Sequence, residues 1–420
     1  MCLGESVRIN RWAGLLISLT AFPSWASSGH ALPRASASAL GMTDANVALV
    51  QGPSSQFINP ANLADAGSGT KWEAGALFGV IKTDLHRPAA AGATTAGDYP
   101  AKDRHPVIPY AALAQQWSEK VAIGFSVEVP HGLGVDWPDH TFDLSLGPAG
   151  TADLAQMTEL RVLRFGPAIA TPINPQWAVG TRIFAQYVEA TEENDFSRVE
   201  GDGTSLGAQI GLRYAVGDLI LGGAYTTRTR TEIKGSLRPG AATTLIEGDA
   251  TADILLPARL QIGLAFRVLP NMWWEWDLDW LEWSYVDELT IRQSNGTIAN
   301  AGKNERHNRN TVSLRTGIKW TRSPTLTLYA GLSHDPTPTA ERDASPTSSM
   351  VRKTRVGIGA THLFASGTKL DVAYQYIRGH SRRIDETEQD NLTPSIDTNL
   401  FEGTYETASH ILGLSLTTGF

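Results

Sequence analysis

Residues 259–283 read RLQIGLAFRVLPNMWWEWDLDWLEW. Two runs of period two lie in this stretch. In the first, Leu260, Ile262, Leu264, Phe266 and Val268 alternate with Arg259, Gln261, Gly263, Ala265 and Arg267. In the second, Trp274, Trp276, Leu278 and Trp280 alternate with Glu275, Asp277 and Asp279. Successive side chains on a strand point to opposite faces, so each run is a strand with one oily and one polar face. The link between them, with Pro270 and Asn271, suits a tight hairpin. A soluble sheet would bury the oily face in a core, turn its large rings inward and show the charged face to water. Twelve tryptophans in the chain, many at strand ends, suggest a different solvent. The oily face is therefore read as touching lipid and the charged face as lining a lumen.

Composition allows this reading. Hydrophobic residues make up 42% of the 420 residues, and the mean hydropathy is −0.16. A transmembrane barrel dilutes its apolar residues one for one with polar ones, so the average need not be membranous. Forty glycines and many short strand-like runs favour an all-β chain. A formal charge of −8 argues against nucleic acid as a partner. The single cysteine, Cys2, excludes a disulfide or thiolate metal site within one chain. Residues 1–26 read as a signal peptide: Arg8 and Arg11, an apolar run over 12–22, then Ser24-Trp25-Ala26 at a cleavage point. No later run reaches eighteen apolar residues, so no helical span is expected.

Residues 27–71 lack strand alternation and are rich in Ala, Ser, Gly and Asn. A short helix is expected over 39–49, and Asn59-Pro60 marks a turn. From residue 72 to 420 the period-two pattern recurs, near 72–81, 107–117, 120–129, 159–170, 177–188, 205–216, 218–229, 258–268, 272–284, 310–321, 325–334, 353–364, 368–378 and 408–420. That predicts fourteen antiparallel strands, an even number as in bacterial outer-membrane barrels. Short links at 118–119, 172–176, 217, 269–271, 322–324 and 365–367 alternate with long ones at 82–106, 130–158, 189–204, 230–257, 285–309, 335–352 and 379–407. Periplasmic turns and extracellular loops would produce this alternation; a soluble sandwich would not. The last strand places Leu412, Leu414, Leu416 and Thr418 outward and ends on Phe420, which resembles the assembly signal read by the barrel assembly machinery.

The chain carries no catalytic signature: no G-x-S-x-G, no H-E-x-x-H and no P-loop. No metal or cofactor is expected. His131 in PHGLG reads as a loop histidine, Asp202 in EGDGTSLG as a turn without the further acids of a calcium loop, and Asn295-Gly296-Thr297 as an idle sequon. The lumen charges are richer. Parity turns Arg213, Arg259, Arg267, Arg315, Lys319 and Arg355 inward, with Glu275, Asp277, Asp279 and Asp371. The acidic strand 272–284 lies between two basic ones, as cross-strand pairing favours. These groups form either an ion-pair network that fills the lumen or a cradle for the carboxylate of an amphipathic ligand.

Several motifs resemble the outer-membrane fatty-acid and hydrocarbon transporter family (FadL type). The segment SGHALPRASASALGMTDANVALVQGPSSQFINPANLA, residues 28–64, is similar to that family's N-terminal plug, through Ser38-Ala39-Leu40-Gly41 and Asn59-Pro60-Ala61 followed by Leu63. Leu256-Pro257, Trp283-Ser284, Asp335-Pro336-Thr337-Pro338 and Gly403-Thr404-Tyr405-Glu406 continue the likeness in order to residue 420. Two positions depart from it: Pro346-Thr347-Ser348-Ser349-Met350-Val351-Arg352 replaces the usual Pro-Asp-Ser-Asp-Arg run, and His30 stands where an aromatic is usual. The resemblance implies a fourteen-stranded barrel (72–420) with a plug (27–71) inside it, taking up long-chain fatty acids or hydrocarbons across the outer membrane. It also implies a lateral exit through a kinked strand, here 120–129, with Gly124 facing the lumen. A monomer in outer-membrane lipid, binding a hydrophobic small molecule, is the expectation. A general polar-solute porin and an outer-membrane hydrolase are the alternatives.

Overall fold

The computed structural model describes residues 31–33, 36–65, 67–88, 96–145, 150–240, 247–293, 298–340, 343–347, 351–384 and 401–419. The signal peptide expected over residues 1–26, His30 and Phe420 lie outside these residues. Fourteen membrane strands form one closed antiparallel sheet: β1 Thr70–Arg87, β2 Val107–Ser118, β3 Val121–Asp136, β4 Met157–Pro172, β5 Trp177–Glu193, β6 Ser197–Val216 and β7 Leu219–Thr226. The circuit continues through β8 Arg259–Leu269, β9 Met272–Leu281, β10 Thr311–Ser323, β11 Leu326–Asp335, β12 Lys353–Leu363, β13 Lys369–Gly379 and β14 Gly403–Gly419. Each strand pairs with its successor, and β14 pairs with β1 from Lys71↔Gly419 to His86↔Thr404, which removes the last edge.

The two faces segregate as the sequence period requires. On β8, Ile262 is 53% exposed and Gln261 is 1% exposed. Across the hairpin, Trp276 and Leu278 face outward while Glu275, Asp277 and Asp279 are buried. Trp72, Trp117, Trp177, Trp274 and Trp320 all lie beside the turn-bearing ends of their strands, and Trp117 is 69% exposed. Amphipathic rings favour the membrane–water interface, so these mark one rim of the lipid-facing band.

Turns at 119–120, 173–176, 217–218, 270–271, 324–325 and 364–368 close one end of the barrel; the other end carries the longer connections. One expected loop is instead a hairpin. Residues 189–204 continue β5 and β6, which are joined by a turn at 194–196. The Asn194 side chain accepts from the Phe196 and Ser197 amides at 2.9 and 3.0 Å, an Asx turn that ends the pairing. Arg198 pairs with Glu193 and, at 3.2 Å, with Glu200. Polar pairs of this kind belong in water. β6 runs for 20 residues, about twice the length that crosses a bilayer. Asp202 therefore sits in a strand, opposite Glu189 and Lys234, and not in a turn. Two further hairpins, Thr229–Pro239 with Gly248–Leu256 and Glu288–Gln293 with Ile298–Glu305, extend the same wall.

The N-terminal segment folds differently from expectation. The helix covers only Ala37–Gly41 (α1), with Ser36 Oγ accepting from the Ala39 amide at its start. Thr43 at φ 52° and Asp44 at φ 67° leave the right-handed region and stop it. Two 3₁₀ turns follow, Pro53–Phe57 and Pro60–Asp65. Residues 36–49 and 53–63 are buried against the inward faces of the strands.

Charge on the outward face tests where lipid begins. Ile262→Lys should cost about 2–4 kcal/mol of folding stability in lipid vesicles. Glu232→Gln, outward on the projecting hairpin, should stay within about 0.5 kcal/mol. Urea titration read by heat-modified gel mobility measures both; equal losses would contradict the membrane boundary.

Candidate functional site

The interior is built where the wall meets the N-terminal segment. Because the strands of a closed barrel already spend most of their backbone on their neighbours, the wall holds the segment largely with side chains. On β9, Glu275 accepts from the amides of Ala48 (2.6 Å) and Leu49 (3.2 Å), and Asp277 from that of Val47 (3.2 Å). On β6 and β10, Arg213 donates to the Ala48 carbonyl (3.2 Å) and Lys319 to that of Val50 (3.1 Å). Gln209 bonds the carbonyls of Phe57 and Ile58 at 3.3 and 2.8 Å, and Gln375 bonds that of Leu40 at 3.0 Å. On β1, Glu73 accepts from the Ser54 amide at 3.0 Å. An irregular buried segment has orphan amides and carbonyls, and the ones named here find wall partners of the right polarity.

Asn59, Pro60 and Ala61 form the tightest contact. Asn59 is fully buried; its Nδ2 donates to the carbonyls of Val47 and Leu212, both at 3.1 Å, and its Oδ1 accepts from the Ala61 amide at 3.0 Å. The wall gives way here. A Cβ at Gly211 would stand 2.0 Å from Asn59 Oδ1, and one at Gly180 would stand 2.4 Å from the Pro60 carbonyl carbon. Glycine alone permits that approach.

A second group ties the loop after α1 to two strands directly, β10 and β12, and through them to β8, β9 and β11. Asp44 accepts from Arg315 at 3.3 Å and Arg355 at 3.0 Å. Arg315 also reaches Asp279 at 2.7 Å and Asp335 at 3.2 Å, Arg355 reaches Asp335 at 2.7 Å, and Arg259 holds Asp279 through two guanidinium nitrogens. Three guanidiniums thus meet three carboxylates, all buried.

Arg267 does not join this group, nor does it meet Glu275. It stands at the turn end of β8, 39% exposed, with Asp218 at 3.2 Å and the Trp273 ring at 4.9 Å. The reason is register: Arg267 lies opposite Trp273, while Glu275 lies opposite Ala265. Asp371 accepts from Ser415 at 3.0 Å and from Thr361. Asp44, Glu73, Gln209 and Gln375 were not singled out from the sequence, and Asp335 stood out only within a family motif, not as a charge of the interior. Asp44 carries no strand parity, and the glutamines carry no charge to draw notice.

Gly124 faces the segment, where a Cβ would meet Gln56 Oε1 at 2.6 Å. The irregularity of β3 lies further along. Its register against β4 shifts between Glu128 and His131, and its pairing with β2 ends at Val127. Pro130 cannot donate to a ladder and marks the bulge. Into this break comes the N-terminal segment: Ala31 bridges His131, and the Leu32 amide donates to the Pro130 carbonyl at 3.0 Å. His131 is thus part of a strand, not a loop. Its ring is nearly buried.

A closed wall, an inserted N-terminal segment and an interrupted third strand together match known architecture. Residues 17–420 match the family described as outer membrane protein transport protein (OMPP1/FadL/TodX). The chain belongs to that family. It is an outer-membrane protein of the Gram-negative type, with a transport function. Among solved structures it is similar to a Pseudomonas aeruginosa FadL homologue, with a TM-score of 0.78 and 17% identity over 93% of this chain and 100% of that one. It also resembles the Pseudomonas putida toluene transporter TodX, TM-score 0.71 and 16% identity over 93% of this chain and 99% of that one. A third is the Ralstonia pickettii toluene transporter TbuX, TM-score 0.65 and 18% identity over 91% of this chain and 98% of that one. No curated protein matches the sequence.

Two outcomes follow from the contacts. Arg267→Ala and Glu275→Ala share no partner, so their stability effects should add within about 0.3–0.5 kcal/mol in a double-mutant cycle. Asp44→Asn should weaken the anchoring by about 1–3 kcal/mol, since the buried arginines lose one of their carboxylates. Heat-modified mobility should still report a folded barrel while planar-bilayer ion conductance rises; unchanged conductance would show that Asp44 does not hold the segment.

Proposed function

We propose that this protein is a passive channel for uptake of hydrophobic molecules, hydrocarbons or long-chain fatty acids, and that it catalyses no reaction. The observation that supports this reading best is the dense set of wall contacts to the N-terminal segment. A hydrophobic solute gains free energy only by leaving water for a dry, shaped surface; an aqueous pore offers it nothing. A segment held by buried carboxylates, arginines and amides acts as a plug that supplies such a surface and obstructs ions. The related structures described as toluene transporters support the choice of cargo. The bulge of β3 at Val129 and Pro130, beside the inserted Ala31 and Leu32, is a natural lateral passage, since pairing with β2 has already ended there. The outward apolar faces meet outer-membrane lipid, Phe420 serves as the assembly signal, and the barrel works as a monomer.

Uptake and conductance measured on the same variants test the reading. Deleting residues 28–46 should leave the barrel folded, lower uptake of labelled toluene or hexadecanoate by cells several-fold, and raise ion conductance. Asn59→Ala should shift both quantities in the same directions but less. Large, steady conductance by the intact protein, with no uptake of either compound, would favour a polar-solute porin.

A further inference from the structure

The outer face of the wall carries charge as well, and one sector of it stands apart. At the end with the longer connections, outward arginines elsewhere on the barrel meet carboxylates: Arg161 with Glu159 at 2.7 Å, Arg230 with Asp253 at 2.7 Å, Arg238 with Glu200 at 3.0 Å. Arg352, just before β12, and Arg378, near the end of β13, do not. Both are exposed, and neither has an ion-pair partner among the described residues.

Register brings these two together with further donors. The His380 amide donates to the Arg352 carbonyl at 2.8 Å, which sets Arg352 beside His380. Thr354 lies opposite Arg378 on one side and His334 of β11 on the other. His380 Nε2 and the Thr354 hydroxyl share a hydrogen bond of 2.9 Å, and the His334 and His380 ring centroids are 6.1 Å apart. Two guanidiniums, two imidazoles and a hydroxyl thus occupy one outward surface of three neighbouring strands. The outward acids of the adjoining strands, Glu406 on β14 and Asp84 on β1, face each other, and neither pairs with Arg378.

Depth decides which solvent this surface meets. Counted from the turn-bearing end, His334 is the ninth residue of β11, and Thr354 and Arg378 are the tenth of β12 and β13. A tilted strand crosses the hydrocarbon in about 9–11 residues. Two residues nearer the turns on the same face, Leu332 is 50% exposed and Val356 49%. Beside them, Tyr374 Oη lies 2.7 Å from His410 Nδ1, and the Tyr376 ring centroid lies 5.1 Å from that of the same imidazole. Rings with a polar tip mark the level where acyl chains give way to headgroups. The unpaired cations stand at that level, with an apolar surface directly beneath.

We propose that Arg352, Arg378 and their neighbours bind the phosphate groups of an outer-leaflet glycolipid, whose acyl chains lie along Leu332, Val356 and Tyr376. A guanidinium fork matches two phosphate oxygens, and the imidazoles and hydroxyl add donors. Cations beside a headgroup layer attract anionic lipid without any pocket. Two guanidiniums on adjacent strands favour a headgroup with more than one phosphate.

Native mass spectrometry of the purified full-length protein in non-ionic detergent tests this, by titration with bisphosphorylated lipid A and with the same lipid after removal of its phosphates. The native protein should hold the phosphorylated form about tenfold more tightly or better, as two cations beside a headgroup supply. Arg352→Gln with Arg378→Gln should remove that preference and leave binding of the dephosphorylated lipid unchanged, with heat-modified gel mobility reporting the fold. If the double variant does not fold, Arg378→Gln alone replaces it and should lose about threefold. Arg230→Gln, whose arginine Asp253 already holds, should keep the full preference. Equal binding of the two lipids by the native protein, a preference that survives in the folded variant, or one lost equally in Arg230→Gln would overturn the patch. Displacement of the lipid by an equal concentration of inorganic phosphate would assign the surface to a free anion and overturn the lipid reading. Each of these outcomes leaves the transport reading as it stands.

Discussion

In hydrocarbon a sheet cannot have an edge, because an unpaired amide or carbonyl there finds no water. Every other feature of this molecule works within that constraint. It forces β14 back onto β1, it commits the backbone of each strand to its two neighbours, and it sends every second side chain into a closed interior. The outward set must then be apolar, and it is, from Leu260, Ile262 and Leu264 on β8 to Leu412, Leu414 and Leu416 on β14. The inward set is free of that demand and accepts charge.

An interior lined with charge creates its own difficulty, which the N-terminal segment resolves. Glu275 and Asp277 need donors; the irregular backbone at Val47, Ala48 and Leu49 supplies amides. Arg213 and Lys319 need acceptors; the carbonyls of Ala48 and Val50 supply them. Neither component would be comfortable without the other, since a buried segment without ladder partners is as costly as a buried carboxylate without donors. The segment is rich in small residues for the same reason. Its backbone must come within reach of short and long wall side chains alike, and at Gly180 and Gly211 it touches the wall itself.

Sequence parity carried the fold far because the rule behind it is binary. A side chain on a strand faces one of two solvents, and Trp276 beside Asp277 leaves little choice. Strand number, closure and the face of each charged residue were legible on that basis. What each charge touches was not. Arg267 and Glu275 share a parity, yet the register sets them against different residues and sends Arg267 to Asp218. The extension of β5 and β6 was hidden because its Glu, Arg and Asn content resembles a loop, and only cross-strand pairing in water gives it order. The position of the break in β3 was hidden too. Pro130 follows the apolar stretch as an ordinary loop residue would, and only the insertion of Ala31 and Leu32 beside it shows a wall interrupted mid-course.

The manner of attachment bears on how such a channel can change its cargo. Most wall contacts reach the segment's backbone, which is the same for any residue, so many of its side chains can vary without loosening it. Asn59 and Asp44 are among the side chains that do bond the wall, each fixed by a particular geometry: a glycine-lined cleft for one, paired arginines for the other. The contacts that hold the segment are spread over β1, β6, β9, β10, β12 and β13, so its attachment is shared around the wall and rests on no single strand.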